Sequence, residues 1–326
     1  MKRIELIDYL RGISIFTIVI MHLCMGYVDG VLHKALAFGG AGVHVFILCS
    51  GLGLYLSYLR KPLGYKDFLK KRFCKVYVPY AIAVLLWGAW LLICTGAFPT
   101  KEVMSHLFLY KMFSVESDTS LCYPYWFLSI IFQFYFAWPL IVRLVRGWGG
   151  QLLPLAISLL WSTLVGVLSY EELRPWGSFF LQYLWEFCLG MWIAEKIHEG
   201  KEKLVDVSEL RWLWLLAGAI GGMGLSALMA WNGGRLKLYN DIPSLIGYLS
   251  VMLLIYKIGV HWVNRFFVWA SSSGYELYLL HSLAFVVLAF CLKGLLPVYG
   301  LIGVSLIAAY AAGYGYSRLL MKTKLK

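Results

Sequence analysis

Arg11 and His22 stand eleven residues apart in the apolar stretch that opens the chain. Eleven helical steps of about 100° return nearly to the same face, and at about 1.5 Å per residue the two groups lie about 16 Å apart along the axis. One side of a single helix would then carry a guanidinium able to hold an anion and, further along, an imidazole able to take or give a proton. Asp8, one turn before Arg11, has the spacing of an i,i+3 ion pair. The plainer alternative is a structural Asp–Arg pair beside an unrelated packing histidine; the shared face favours chemistry.

Other ionisable residues fall inside apolar runs, where charge is costly and usually faces a bundle interior or a wet cavity. They are His44, Glu186, Glu276 and His281. His44 is expected at a depth similar to His22, and Glu186 and Glu276 deeper toward the cytoplasm, where one of them would neutralise Arg11. His281 and Tyr278, one turn apart, fit interhelical hydrogen bonding better than catalysis. The densest basic cluster is Lys70, Lys71, Arg72 and Lys75 within YKDFLKKRFCKVYVPY. It reads either as topogenic charge on anionic headgroups or as a clamp on a nucleotide diphosphate, and charge alone does not separate the two. Seven cysteines are scattered singly with no metal-like spacing, so buried packing is expected, with no disulfide framework and no metal.

The elements that must position these groups are set by composition. Of 326 residues, 61% are hydrophobic and 14% charged, against about 45–50% and 25% in soluble domains. One soluble core cannot hide that much apolar surface. Runs long enough to cross about 30 Å of hydrocarbon lie near 7–27, 36–59, 76–97, 123–143, 151–169, 178–195, 211–231, 242–260, 270–291 and 297–318. Backbone groups in lipid must be satisfied within each segment, so the spans are helices. The first is expected to be retained, since no small-residue cleavage site follows it. Lys and Arg crowd one set of alternate loops, 21 against 7, which places both termini in the cytoplasm. The expectation is an all-α, polytopic bundle of about ten transmembrane helices, filling residues 1–326 as one domain. The net charge of +12 is then mostly a topology signal, and nucleic-acid binding is not expected.

Several segments together carry a resemblance. DYLRGI (8–13) followed by His22, the glycine-rich GGAGVHVFILCSG (39–51) and the basic FLKKRFCKVYVPY (68–80) come first. YWFLSIIFQFYFAWPL (125–140), FCLGMWIAE (187–195) and GYELYLLHS (274–282) follow in order. This collinear set resembles the acyltransferase-3 family of bacterial integral-membrane O-acyltransferases. The resemblance implies transfer of an acyl group, usually acetyl, from acyl-CoA as co-substrate to a hydroxyl of a cell-envelope glycan or lipid-linked sugar, in the bacterial cytoplasmic membrane. It implies His22 as the catalytic histidine, with Arg11, Arg72, Lys75 and Lys71 meeting coenzyme A phosphates or lining its channel. Asp8, His44, Glu186, Glu276, Trp126 and Gln133 would support them. Trp126 also fits an interfacial belt as well as sugar stacking. Three departures stand out. Lys75 replaces the second arginine of the basic loop and loses its bidentate fork. His44 stands where many members carry an acid, and Ile131 and Phe132 replace the acidic pair of the polysaccharide-modifying branch. No further domain is expected beyond the last span, so this domain alone would reach the acceptor. A rival class is a transporter of a glycan or lipid without acyl transfer, although no inverted repeat is visible. A non-catalytic binding relative is a third.

Overall fold

A computed structural model describes residues 4–117, 120–147, 150–177 and 179–323. Lys2, Arg3, Lys324 and Lys326, which enter the topology count above, lie outside the described residues. No strand occurs among the described residues. The chain runs through α1 (Glu5–Cys24), α2 (Gly42–Arg60), α3 (Tyr65–Arg72), α4 (Val78–Thr95) and α5 (Thr100–Leu107). Next come α6 (Trp126–Phe136), α7 (Trp138–Arg146), α8 (Leu152–Val167), α9 (Leu184–His198) and α10 (Trp212–Asn232). The last are α11 (Asp241–Ile258), α12 (His261–Ala270), α13 (Gly274–Cys291) and α14 (Val298–Lys322).

Seven helical stretches are long and apolar enough to cross a bilayer: Glu5–Tyr27, Gly30–Arg60, Tyr65–Thr95, Trp212–Asn232, Asp241–Ile258, His261–Cys291 and Val298–Lys322. The protein is an all-α, multi-pass membrane protein. These seven coincide with seven of the ten expected segments. The other three take different forms. The 123–143 segment is broken at Ala137 into α6 and α7, an eighth span if the pair counts as one. Pro139, in the first turn of α7, has no N–H to bond back to the preceding turn, so α6 cannot continue through it unbroken. The 151–169 segment forms the 16-residue α8. The 178–195 segment forms the 15-residue α9, which begins only at Leu184 after a run of turns; Ser178 lies outside the described residues.

The described chain divides into two compact units. The first comprises Met1–Ile18, Gly40–Leu63 and Ala137–Ser272. Its core grows from the stripe Leu6, Tyr9, Leu10 and Ile13 on α1, spaced as one helix face. That stripe packs with Val45 and Leu48 of α2 and Met252 of α11. The Tyr9 hydroxyl donates to the Met252 carbonyl at 3.3 Å, and its ring meets Phe267 edge-on. Between α2 and α9 the backbones nearly touch: a Cβ on Gly51 would lie 2.0 Å from the Phe187 carbonyl oxygen, and one on Gly190 2.0 Å from that of Leu48. Small residues permit that approach in a membrane bundle, where dispersion and hydrogen bonding replace the hydrophobic drive.

The second unit comprises Val19–Gly39, Gly64–Phe136 and Ser273–Lys326. Tyrosine hydroxyls donating to backbone carbonyls tie it together: Tyr125 to Leu279 at 2.7 Å, Tyr275 to Val76 at 2.7 Å, Tyr316 to Pro79 at 2.9 Å, and Tyr278 to Pro124. Away from water a buried hydroxyl must find an acceptor within the protein. The 98–122 segment is pinned by buried His106, whose Nε2 lies 2.9 Å from the Ser120 carbonyl and whose Nδ1 lies 2.8 Å from the Tyr80 hydroxyl. Burial, and next the Lys111 ammonium, push the His106 pKa down to about 3, so the ring is neutral and the hydroxyl donates to it. The cysteines correct one expectation. Cys49, Cys122 and Cys188 are buried, but Cys94 and Cys291 are exposed on helix surfaces. An apolar residue in a spanning helix has lipid as well as core to face.

Candidate active site

His22 lies half-buried near the end of α1, and His281 is fully buried on α13. Both belong to the second unit. His22 Nδ1 and His281 Nε2 are 3.0 Å apart, and the rings meet edge to edge, centroids 5.1 Å apart with 16° between their planes. Ser282 Oγ is 3.1 Å from the same Nε2, and His281 Nδ1 lies 2.8 Å from the Tyr278 carbonyl oxygen. The backbone around this histidine is tethered by the bonds from Tyr125 to Leu279 and from Tyr278 to Pro124. His22 and His281 carried separate readings in the sequence, one chemical and one structural. The fold joins them.

Helix α1 is unbroken from Glu5 to Cys24 and carries both Arg11 and His22. Arg11 is exposed and Asp8 half-buried. Both lie close enough to Cys49 of α2 to act electrostatically on its thiol.

A second polar cluster occupies the first unit. His44 Nδ1 is 2.7 Å from Glu186 Oε1, and His44 Nε2 is 3.9 Å from Asp241 Oδ1. Gln182 Nε2 donates to Asp241 Oδ2 at 2.6 Å and to the Leu238 carbonyl at 2.7 Å. Gln182 Oε1 accepts from Ser162 at 3.0 Å. Two expectations are corrected here. Glu186 does not lie deeper than His44: because α9 starts at Leu184, Glu186 is in its first turn and meets His44 directly. Its hydrogen bond therefore goes to His44 and not to Arg11, while Glu186 Oε2 is buried without a partner. Glu276 is buried in the first turn of α13. Sequence reasoning missed Asp241, Gln182 and Ser162; the available signal was an acid at the mouth of an apolar helix.

The basic cluster follows a helix irregularity. α3 ends at Arg72, a π-helical turn spans Phe73–Tyr77 and carries Lys75, and α4 follows. Such turns recur at functional sites. Arg72 is half-buried, its guanidinium 5.7 Å from the centre of the Phe68 ring, and its Nε is buried without a hydrogen-bond partner. Lys71 is half-buried and Lys75 exposed. On α6, Gln133 is buried and Trp126 half-buried at the helix start, directly after Tyr125. Among the described residues, no group of three or more His, Cys, Asp or Glu is placed to hold a metal ion.

A family model described as an acyltransferase domain matches residues 4–314, nearly the whole chain. This chain belongs to the acyltransferase-3 family. It is therefore an acyltransferase, and the apolar helices make it a membrane one. No curated protein and no solved structure matches it. In this chain the hydrogen bond between His22 and His281 holds a proton acceptor in a fixed orientation.

Proposed function

We propose that residues 1–326 form a single O-acyltransferase domain that moves an acyl group, in the first instance acetyl, from acyl-CoA to a hydroxyl of a cell-envelope glycan or lipid-linked sugar. The observation that carries this reading is a half-buried His22 hydrogen-bonded to a second imidazole in a chain of this family. His22 removes the acceptor hydroxyl proton as the oxygen attacks the thioester carbonyl. The C–O bond forms, the C–S bond breaks, and the departing coenzyme A thiolate takes the proton back from the imidazolium. Arg11, Arg72, Lys75 and Lys71 meet the coenzyme A phosphates. Coenzyme A holds its phosphates and its thioester at opposite ends of a long pantetheine arm. A cation about 16 Å from the base along one helix suits that separation. Asp8, His44, Glu186, Glu276, Trp126 and Gln133 support the site by holding charge and helix position. The acyl donor is a co-substrate and no tightly bound cofactor takes part.

The same reading places the enzyme in the bacterial cytoplasmic membrane with ten spans and both termini in the cytoplasm. Contacts between loops support the alternation. Lys237 and Glu172 lie 3.8 Å apart, which puts the loops after α8 and α10 at one face. Lys257 donates to the carbonyls of Val207 and Ser208 at 2.8 and 2.9 Å, which gathers the loop after α9 and the end of α11 at another.

The test is transfer from labelled acetyl-CoA by purified protein and by His22→Ala. Loss of about 10²-fold or more in acetyl transfer or donor hydrolysis is expected. Undiminished turnover in His22→Ala, or glycan movement that needs no donor, refutes the reading.

A further inference from the structure

The hydrogen bonds around His281 fix more than its own position. A backbone carbonyl only accepts, so the 2.8 Å contact between the Tyr278 oxygen and His281 Nδ1 requires the ring proton on Nδ1. In the neutral ring Nε2 then has a lone pair and no proton. Two groups approach it, His22 Nδ1 at 3.0 Å and Ser282 Oγ at 3.1 Å, and both must donate. His22 accordingly carries its proton on Nδ1, which leaves its Nε2 as the bare basic atom. The chain of consequence runs from a peptide carbonyl on α13 to a defined tautomer on α1.

We propose that His281 is the positioning residue for His22. It accepts a hydrogen bond from His22 Nδ1–H, selects the tautomer whose Nε2 takes the acceptor's proton, and holds the ring while charge appears on it. This rests on the reading of His22 as the base. The partner is an imidazole, where serine hydrolases use a carboxylate, so orientation comes without an added negative charge inside the membrane. The edge-to-edge hydrogen bond, with 16° between the ring planes, restricts ring rotation, and the tethers from Tyr125 and Tyr278 keep α13 from sliding. Ser282 gives Nε2 a second donor, and the Tyr278 carbonyl on Nδ1 sets the ring's orientation.

Three measurements on the full-length protein in detergent test it: kcat and KM for acetyl-CoA across pH, the ¹⁵N spectrum of labelled histidines in the absence of donor, and the variants His281→Leu and His281→Gln. The wild-type spectrum should show His22 with its proton on Nδ1. His281→Leu should lower kcat about 10²-fold or more at unchanged KM and leave His22 a mixture of tautomers. His281→Gln, whose amide oxygen can accept the same proton, should recover most of kcat and the Nδ1–H signal. A wild-type His22 protonated on Nε2 overturns the proposal, and needs no variant to fold. So does His281→Leu with unchanged kcat and pH profile, or His281→Gln as impaired as His281→Leu. Turnover independent of His22 itself would instead refute the reading of His22 as the base, which separates the two failures.

Discussion

Glu186 is the most deeply committed charge in the first unit, at 0% exposure with one oxygen on His44 and the other unpartnered. An acid this enclosed depends on its single hydrogen-bonded partner, because removing one member of a buried pair strands the other. His44→Ala should therefore destabilise the protein by about 3–5 kcal/mol, read as a lower denaturation midpoint in detergent. The double replacement His44→Leu with Glu186→Leu should recover much of the loss. A midpoint unchanged in His44→Ala would show that the pair contributes nothing. The pairing also explains the imidazole at this position: position 44 faces a carboxylate, and opposite charge fits it.

At the scale of elements, the His44–Glu186 contact exists because α2 and α9 approach backbone to backbone. His44, Leu48 and Gly51 lie along one stripe of α2, and Glu186 and Gly190 along one stripe of α9. Gly51 and Gly190 are both buried, and a side chain at either would drive into a carbonyl of the facing helix. Gly190→Val should separate the helices, lower the denaturation midpoint and also remove the extra destabilisation that His44→Ala causes alone, since the contact is already broken. Fully additive losses in the double variant would show that helix spacing and the ion pair are independent. A glycine every few residues is visible in the sequence. Which helix it meets is not, because small residues serve any close neighbour equally well.

For the whole molecule, the question is whether the short helices α8 and α9 cross the bilayer. At 16 and 15 residues they span about 24 and 22 Å, less than an average hydrocarbon core, which a bundle accommodates by local thinning of the lipid. Exposed Glu172, in the loop between them, decides it. With ten spans, Glu172→Cys in intact cells should react with a membrane-impermeant maleimide, as should Lys237→Cys, whereas Lys201→Cys should be protected. A protected Glu172→Cys beside a reactive Lys237→Cys would remove α8 and α9 from the set of spans.

Class, environment and family were legible from the chain by itself. Hydropathy over some twenty residues, loop charge and helical period are local quantities, and seven of the expected spans recur where those quantities placed them. The helix that carries both Arg11 and His22 is equally local, one unbroken run from Glu5 to Cys24. The break after Phe136, the late start of α9 and the partners of the buried groups were decided by tertiary structure. His44 finds Glu186 across 142 residues and His22 finds His281 across 259. Nothing local encodes such pairings, since an ionisable residue in an apolar run states only that it needs a partner in the absence of water. Which partner it gets depends on how closely the helices pack and where each one begins.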